Sequence, residues 1–202
     1  MDDHVLRGMA KWPNVPAVYG WLALDRRGQW LIKGERITNP VVVDFIGRNY
    51  ERDADGRWFF QNGPQRVFVS LEYAPFVFRV TSAVSSPLEL CTQTRVKPGG
   101  LKGAYIDEHG AIVVDTELGP GLVDDRDLDA VAGALVDAKG RQPDDDALDV
   151  MIECVQGGED VPLWLEYGGA RVKIGSLEST EAPRRFGFDP RPAAPHGHPE
   201  CN

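Results

Sequence analysis

The sequence is short of three things: long apolar runs, thiols and positive charge. No segment approaches the roughly 18 consecutive apolar residues that a membrane-spanning helix needs. The N-terminus, MDDHVLRGMAKW, begins acidic and lacks the apolar core of a secretory leader, so no leader is expected. Only three cysteines occur, Cys91, Cys154 and Cys201, an odd number at unrelated spacings. That argues against a disulfide framework and suits a reducing, cytoplasmic setting, with two buried thiols and one in a tail. Lysine and arginine total 22 against 31 for aspartate and glutamate, a net charge of −9 with a pI near 4.9. Such a balance argues against nucleic acid and against an anionic membrane surface as partners. Acidity of this kind serves solubility.

Catalytic signatures are scarce as well. A triad needs a nucleophile beside a base that a third group orients. The sequence has no G-x-S-x-G, and the only histidine inside the body is His109, in the turn Glu108-His109-Gly110, where exposure is expected. Lys97 to Gly103 is glycine-rich and basic but lacks the strand-to-helix context of a phosphate cradle, so it reads as a loop. Asp144-Asp145-Asp146 and Asp124-Asp125-x-Asp127 lack calcium-loop spacing and read as helix N-terminal acids. No cofactor is expected. Near the C-terminus, His196, His198 and Cys201 place two imidazoles and a thiol within six residues. Three such ligands make an incomplete metal site unless a partner chain adds a fourth.

What remains is a chain of 202 residues, 42% hydrophobic and 26% charged, ample for a packed core. A short helix is predicted to about Lys11, stopped by Trp12-Pro13-Asn14-Val15-Pro16. Strands follow around Tyr19–Leu24 and Gln29–Lys33, joined by the turn Asp25-Arg26-Arg27-Gly28. Asn39-Pro40 caps and opens a helix to about Tyr50. Asn62-Gly63 is the strongest hairpin signal, because both residues tolerate positive φ. A second set of elements follows: the turn Asp107–Gly110, a helix capped by Asp124 or Asp125, an additional helix through Leu148–Val155, and strands at Val161–Glu166 and Ala170–Ile174. The expected architecture is α+β, with two related subdomains of antiparallel hairpins packed on a helix. Their expected boundaries are residues 1–83 and 84–180, before a proline-rich extended tail over 181–202.

The two halves share a hairpin. Trp58 to Glu72, WFFQNGPQRVFVSLE, returns as Trp164 to Glu178, WLEYGGARVKIGSLE, with five matches in fifteen ungapped positions. One deletion before the arginine instead adds Arg66 with Arg171 and Val67 with Val172. Residues common to both copies serve structure most economically, and polar residues present in one copy only are the better functional candidates. By that criterion Arg48, Asn49, Tyr50, Gln61, Asn62, Gln65 and Arg66, all in the first half, are the candidate ligand-binding residues.

Lys11-Trp12-Pro13-Asn14-Val15-Pro16, Tyr19-Gly20-Trp21-Leu22, Phe45-Ile46-x-Arg48-Asn49-Tyr50 and Phe60 to Val67 together resemble an uncharacterised proteobacterial family of unknown function. The first half is also similar to another uncharacterised bacterial family built of two α+β subdomains. The resemblance covers residues 5 to 80 best, and it implies the fold and a Gram-negative bacterial source but no activity. The functional expectation is a non-enzymatic binding or self-association module, with a homo-oligomer or a protein partner. It rests on Trp21, Trp30, Trp58, Phe59, Phe60, Phe68, Phe76 and Phe78, some of which alternating strands must turn outward. The alternatives are a small-molecule sensor or enzyme with a pocket between the subdomains, and metal binding by the tail.

Overall fold

A computed structural model describes residues 1–12, 15–82 and 87–195. Pro13 and Asn14 of the helix stop, and residues 83–86 around the expected subdomain boundary, lie outside them. The chain divides into two compact units, one of residues 1–75 with 187 onward and one of residues 76–186.

In the first unit the order is α1 (Asp3–Lys11), β1 (Val18–Leu24), β2 (Trp30–Ile32), β3 (Glu35–Arg36), α2 (Pro40–Arg48), β4 (Tyr50–Arg52), β5 (Trp58–Asn62) and β6 (Gln65–Leu71). Its sheet runs β3-β2-β1-β6-β5-β4, antiparallel except where β1 meets β6. The second unit contains β7 (Phe76–Val80), β8 (Leu90–Thr92), β9 (Leu101–Asp107), β10 (Ile112–Thr116), β11 (Pro120–Val123), α3 (Leu128–Ala132), β12 (Leu135–Asp137), α4 (Asp145–Gln156), β13 (Leu163–Tyr167), β14 (Ala170–Leu177) and α5 (Ala182–Phe186). Its sheet runs β12-β13-β14-β9-β10-β11-β7-β8, and β9 meets β14 in parallel. The order β11-β10-β9-β14-β13-β12 therefore repeats β3-β2-β1-β6-β5-β4 strand for strand, with α3 in the place of α2. The second unit adds β7 and β8 beyond β11, and it inserts α4 between β12 and β13.

Local chemistry repeats too. Asn39 caps α2 by accepting a hydrogen bond from Val41 N–H at 2.9 Å, and Asp124 accepts one from Arg126 N–H at 3.0 Å ahead of α3. Each unit has two five-residue turns closed by an aspartate, at Asp25, Asp53, Asp107 and Asp137. In every one, Oδ1 accepts from the N–H groups two and four residues on, at 2.7 to 3.0 Å. The fourth residue is always glycine, Gly28, Gly56, Gly110 or Gly140, at φ between 72° and 81°, a conformation that costs an L side chain about 1–2 kcal/mol. The second turn in each unit reads almost alike, Asp53-Ala-Asp-Gly-Arg57 and Asp137-Ala-Lys-Gly-Arg141.

Hairpin register fixes which residues correspond. Arg66 lies opposite Gln61 across β5–β6, and Arg171 lies opposite Glu166 across β13–β14, each two residues from a two-residue turn. The pairing of Arg66 with Arg171 is thus the structural one, and it holds without a gap along both strands. Trp58 corresponds to Leu163, not to Trp164, because a one-residue slip would turn each side chain to the other face. The burial agrees: Trp58 and Leu163 are buried, whereas Trp164 is only partly so.

Both cores lie on the helix side of the sheet. In the first unit Ile46 of α2 is buried and Phe45 meets Phe60 edge-on at 5.3 Å. Leu24 pairs with both Trp30 and Leu71, which carries the apolar layer across three strands. In the second unit Val131 of α3 takes the place of Ile46, and Leu163, Leu165, Ile174 and Ile106 are buried with it. Two expected boundaries shift. Phe76–Val80 belongs to the second unit because β7 pairs in parallel with β11, Val77 opposite Leu122. The proline-rich segment is not simply extended: Ala182–Phe186 is helical, Phe188 is buried, and Pro190 C=O accepts from Leu71 N–H at 2.8 Å.

Candidate functional site

The seven candidates of the first unit are held mainly by structural contacts. Asn49 is fully buried at the end of α2. Its Nδ2 donates to Phe45 C=O at 2.9 Å and its Oδ1 accepts from Asp2 N–H at 2.8 Å. Arg48, half exposed, pairs with the Asp2 carboxylate at 3.2 Å. Tyr50 is buried between Trp30 and Trp58 and donates to Pro75 C=O at 3.1 Å, and burial pushes its phenol well above the usual range. Gln61, 1% exposed, donates to Gly63 C=O at 2.9 Å. Gln65 donates to Pro16 C=O at 3.2 Å, Asn62 is exposed at the strand end, and Arg66 lies 4.6 Å over the Phe59 ring.

Only some of these residues meet: the start of α1 packs on Arg48 and Asn49 through Asp2, while Asn62 and Arg66 stay exposed. Besides the two contacts of Asp2, His4 stacks on Phe45 at 5.6 Å and Val5 is fully buried. Gly8 faces the turn, where a Cβ would stand in van der Waals contact, 3.5 Å from Pro64 Cδ.

The same positions in the second unit are open. Gln61 N–H donates to Asn49 C=O at 2.8 Å, and Glu166 N–H donates to Ala134 C=O at 2.9 Å. Asn49 N–H returns to Ile46 C=O as Ala134 N–H returns to Val131 C=O. Hence Gly133 and Ala134 correspond to Arg48 and Asn49. Glu166, Tyr167, Ala170 and Arg171 correspond to Gln61, Asn62, Gln65 and Arg66. With Gly168, Gly169, Pro87 and Leu88 these residues line a groove of about 570 Å³, within the range typical of ligand sites.

Its polar groups are fixed. Arg171 Nε donates to Glu166 at 2.8 Å, and the guanidinium lies against Gly140, where a Cβ would collide with it. Tyr167 donates its hydroxyl to Pro98 C=O at 3.1 Å. Burial raises the Tyr167 pKa, so the phenol stays protonated at neutral pH. Pro98 precedes Gly99 and Gly100, whose N–H groups hold the Glu117 carboxylate and keep it below the usual range. The glycine-rich stretch is thus a loop bound to its own chain's acid. Opposed charges, one phenol and apolar walls suit recognition of a small amphipathic surface.

The aromatic faces do not provide such a surface. Trp30, Trp58, Phe59, Phe60, Phe68, Phe76 and Phe78 are all buried within the monomer, which removes the basis for self-association through outward aromatics. Phe68 is stacked by Tyr19 at 4.6 Å and overlain by Arg57 at 4.9 Å; Trp21 lies under Lys33 at 3.9 Å. His109 is exposed, as expected of a turn. Cys91 and Cys154 are partly exposed rather than core residues. Among the described residues no group of three or more His, Cys, Asp or Glu side chains could hold a metal ion. His196, His198 and Cys201 lie outside those residues. No helix among them is long and apolar enough to cross a membrane.

Residues 1–193 match the model of DUF2944, described as a protein of unknown function (DUF2946). The chain belongs to that family. No curated protein matches it. Among solved structures, a DUF1285 family protein from Silicibacter pomeroyi DSS-3 is similar at a TM-score of 0.53 and 18% identity, over 83% of this chain and 87% of that one. A second DUF1285 family protein, from Shewanella baltica OS155, gives a TM-score of 0.40 and 14% identity over 56% of this chain and 91% of that one. The first likeness supports the mixed α+β fold of this DUF2944 member.

Proposed function

We propose that the chain is a non-enzymatic binding module and that its ligand seats in the groove at the tip of β13–β14. The observation that carries this reading is the open groove of about 570 Å³ around positions whose counterparts Asn49 and Gln61 are buried in the first unit. Its ionisable pair, Glu166 and Arg171, is committed to mutual neutralisation at 2.8 Å. Its phenol is committed to Pro98. These groups orient a ligand and leave no free base beside a nucleophile.

A fragment screen read by amide chemical shifts tests the reading. Hits are expected to perturb Gly133, Ala134 and Gly168 to Arg171 together, and to lose this pattern in Ala170→Trp. Hits scattered over the surface, or unchanged by that substitution, would remove the groove as the site.

A further inference from the structure

We propose that the groove is the seat of a short amphipathic helix, supplied by a partner protein, whose first turn carries an acidic residue. This rests on the groove being the binding site and names its occupant. The chain holds the template for such a complex. On the first unit the corresponding positions already carry a helix of this kind, α1, with the sequence DHVLRGMAK behind Asp2. The features of that seating are on view: an acidic start paired with an arginine, one fully buried apolar residue at Val5, and a close approach to the hairpin turn at Gly8. Helix-in-groove recognition uses this pattern of apolar anchors on one face.

The second seat keeps the frame and changes its contents. Gly133, Ala134 and Ala170 replace Arg48, Asn49 and Gln65, which clears side-chain volume from the walls. A bound helix there has room for a larger residue at the position where α1 sets Gly8 against Pro64. Arg48 has no counterpart at Gly133; the cation left in this seat is the strand arginine, Arg171, the counterpart of Arg66, and an acidic residue of the bound helix would share it with Glu166. Leu88, Pro87, Ala134 and Ala170 supply the apolar surface. The α1 of a second copy is the poorer occupant. Its two polar anchors, the Asn49 amide and the Arg48 guanidinium, meet only Ala134 and Gly133 here.

The test uses a fluorescent peptide of residues 1–12 carrying Gly8→Leu, with a scrambled control, titrated into the full chain and followed by anisotropy. Saturable binding is expected for the first peptide only. It should weaken at least tenfold in Ala170→Trp and in Arg171→Glu, and stay unchanged in Arg48→Ala. The Arg171→Glu variant keeps the test decisive should tryptophan at 170 disturb the hairpin. Absent binding, or binding that survives both groove variants, overturns the proposal. Loss of binding in Arg48→Ala also overturns it, since the peptide would then be exchanging with α1 on the first unit. So does a concentration-dependent dimer abolished by Ala170→Trp, which would make a second copy the occupant. Fragments that still map to the groove while the peptide fails would leave the groove standing and remove only the helix.

Discussion

At the first hairpin tip, Pro64 lies against Gly8 of α1, although Gly63 beside it is open; at the second, both Gly168 and Gly169 are open. Around this difference the side chains sort themselves. Under α1 the helix ends in Asn49, whose amide both donates and accepts, and the strand carries an uncharged, buried Gln61. In the open, the same two positions are Ala134 and an exposed Glu166 paired with Arg171. A covered tip favours polar groups with partners inside the fold, because an unpaired buried polar group costs about 1–3 kcal/mol. Asn49 meets this in full, whereas Gln61 pairs through its amide N–H and leaves Oε1 unpaired. An open tip needs none. Conspicuous polar residues in one copy can therefore mark where the chain binds itself, and small residues in the other can mark where it is free to bind something else.

The strongest way to break the contrast is to uncover the first tip. Val5→Asp should unseat α1 at a cost of about 3 kcal/mol, from a lost buried valine and a charge in its place. Hydrogen exchange should then show protection lost over residues 3–11 and around Gly63. Retained protection would mean that Val5 does not anchor the helix.

The two helix caps give the next contrast. Asp124 is fully buried and binds Arg126 through both carboxylate oxygens, at 2.8 and 2.5 Å, whereas Asn39 is exposed. Asp124→Ala should cost about 2–3 kcal/mol, a cap plus charged hydrogen bonds, against about 1 for Asn39→Ala. The Arg126 guanidinium beside Asp124 holds its pKa down to about 2. A carboxyl depressed in the folded state stabilises the fold above its unfolded pKa of about 3.9. That contribution should fade as pH falls from about 4 through 2, and Asp124→Asn should flatten this limb of an acid titration.

The paired turn glycines offer a smaller effect. A Cβ on Gly56 would strike the Gly187 backbone oxygen, while one on Gly140 would strike only the Arg171 side chain, which can swing away. Gly56→Ala should cost about 2 kcal/mol and Gly140→Ala about 1, measured by urea denaturation. Equal costs would show that the segment after Phe186 yields as readily as a side chain. Smallest of all, Arg171→Ala should change stability by less than about 0.5 kcal/mol, since its ion pair is half exposed. It should nevertheless abolish fragment binding in the groove.

Much of this was legible in the chain because it is written locally. Asn39-Pro40, Asp124 and Asn62-Gly63 signal caps and a hairpin through short-range hydrogen bonding and φ. Both caps form, and the hairpin forms with its turn one residue on, at Gly63-Pro64, since Asn62 ends β5 opposite Gln65. The α+β class and the shared order of elements follow from the same signals. The register of the second hairpin was harder. Ungapped matching of Trp58 with Trp164 scores well by composition, yet strand pairing sets correspondence one residue away. The turns at Asp53 and Asp137 are the more telling repeat, and α4, inserted directly after the second, disguises their equivalence. At the site, comparing copies singled out positions from Arg48 to Arg66, of which Asn49 and Gln61 are buried in the first unit. Their openness in the second unit depends on where α1 lies, and no local pattern encodes that. The buried aromatics failed for a related reason: alternation says which way a side chain points, not whether a tyrosine or a guanidinium will lie on top of it.

The aspartate-closed turn has a practical consequence at Asp137–Arg141. Its hydrogen bonds are complete within five residues, with Arg141 itself returning to the Asp137 carboxylate at 2.8 Å. Chain can leave such a turn without loosening the ladder behind it. Here it does so, running through α4 before rejoining the sheet at Leu163, whereas in the first unit Arg57 passes straight into Trp58. That makes the exit after Arg57 a natural port for grafting: a reporter peptide or a small folded cassette spliced there would enter where the sister repeat already carries an insert.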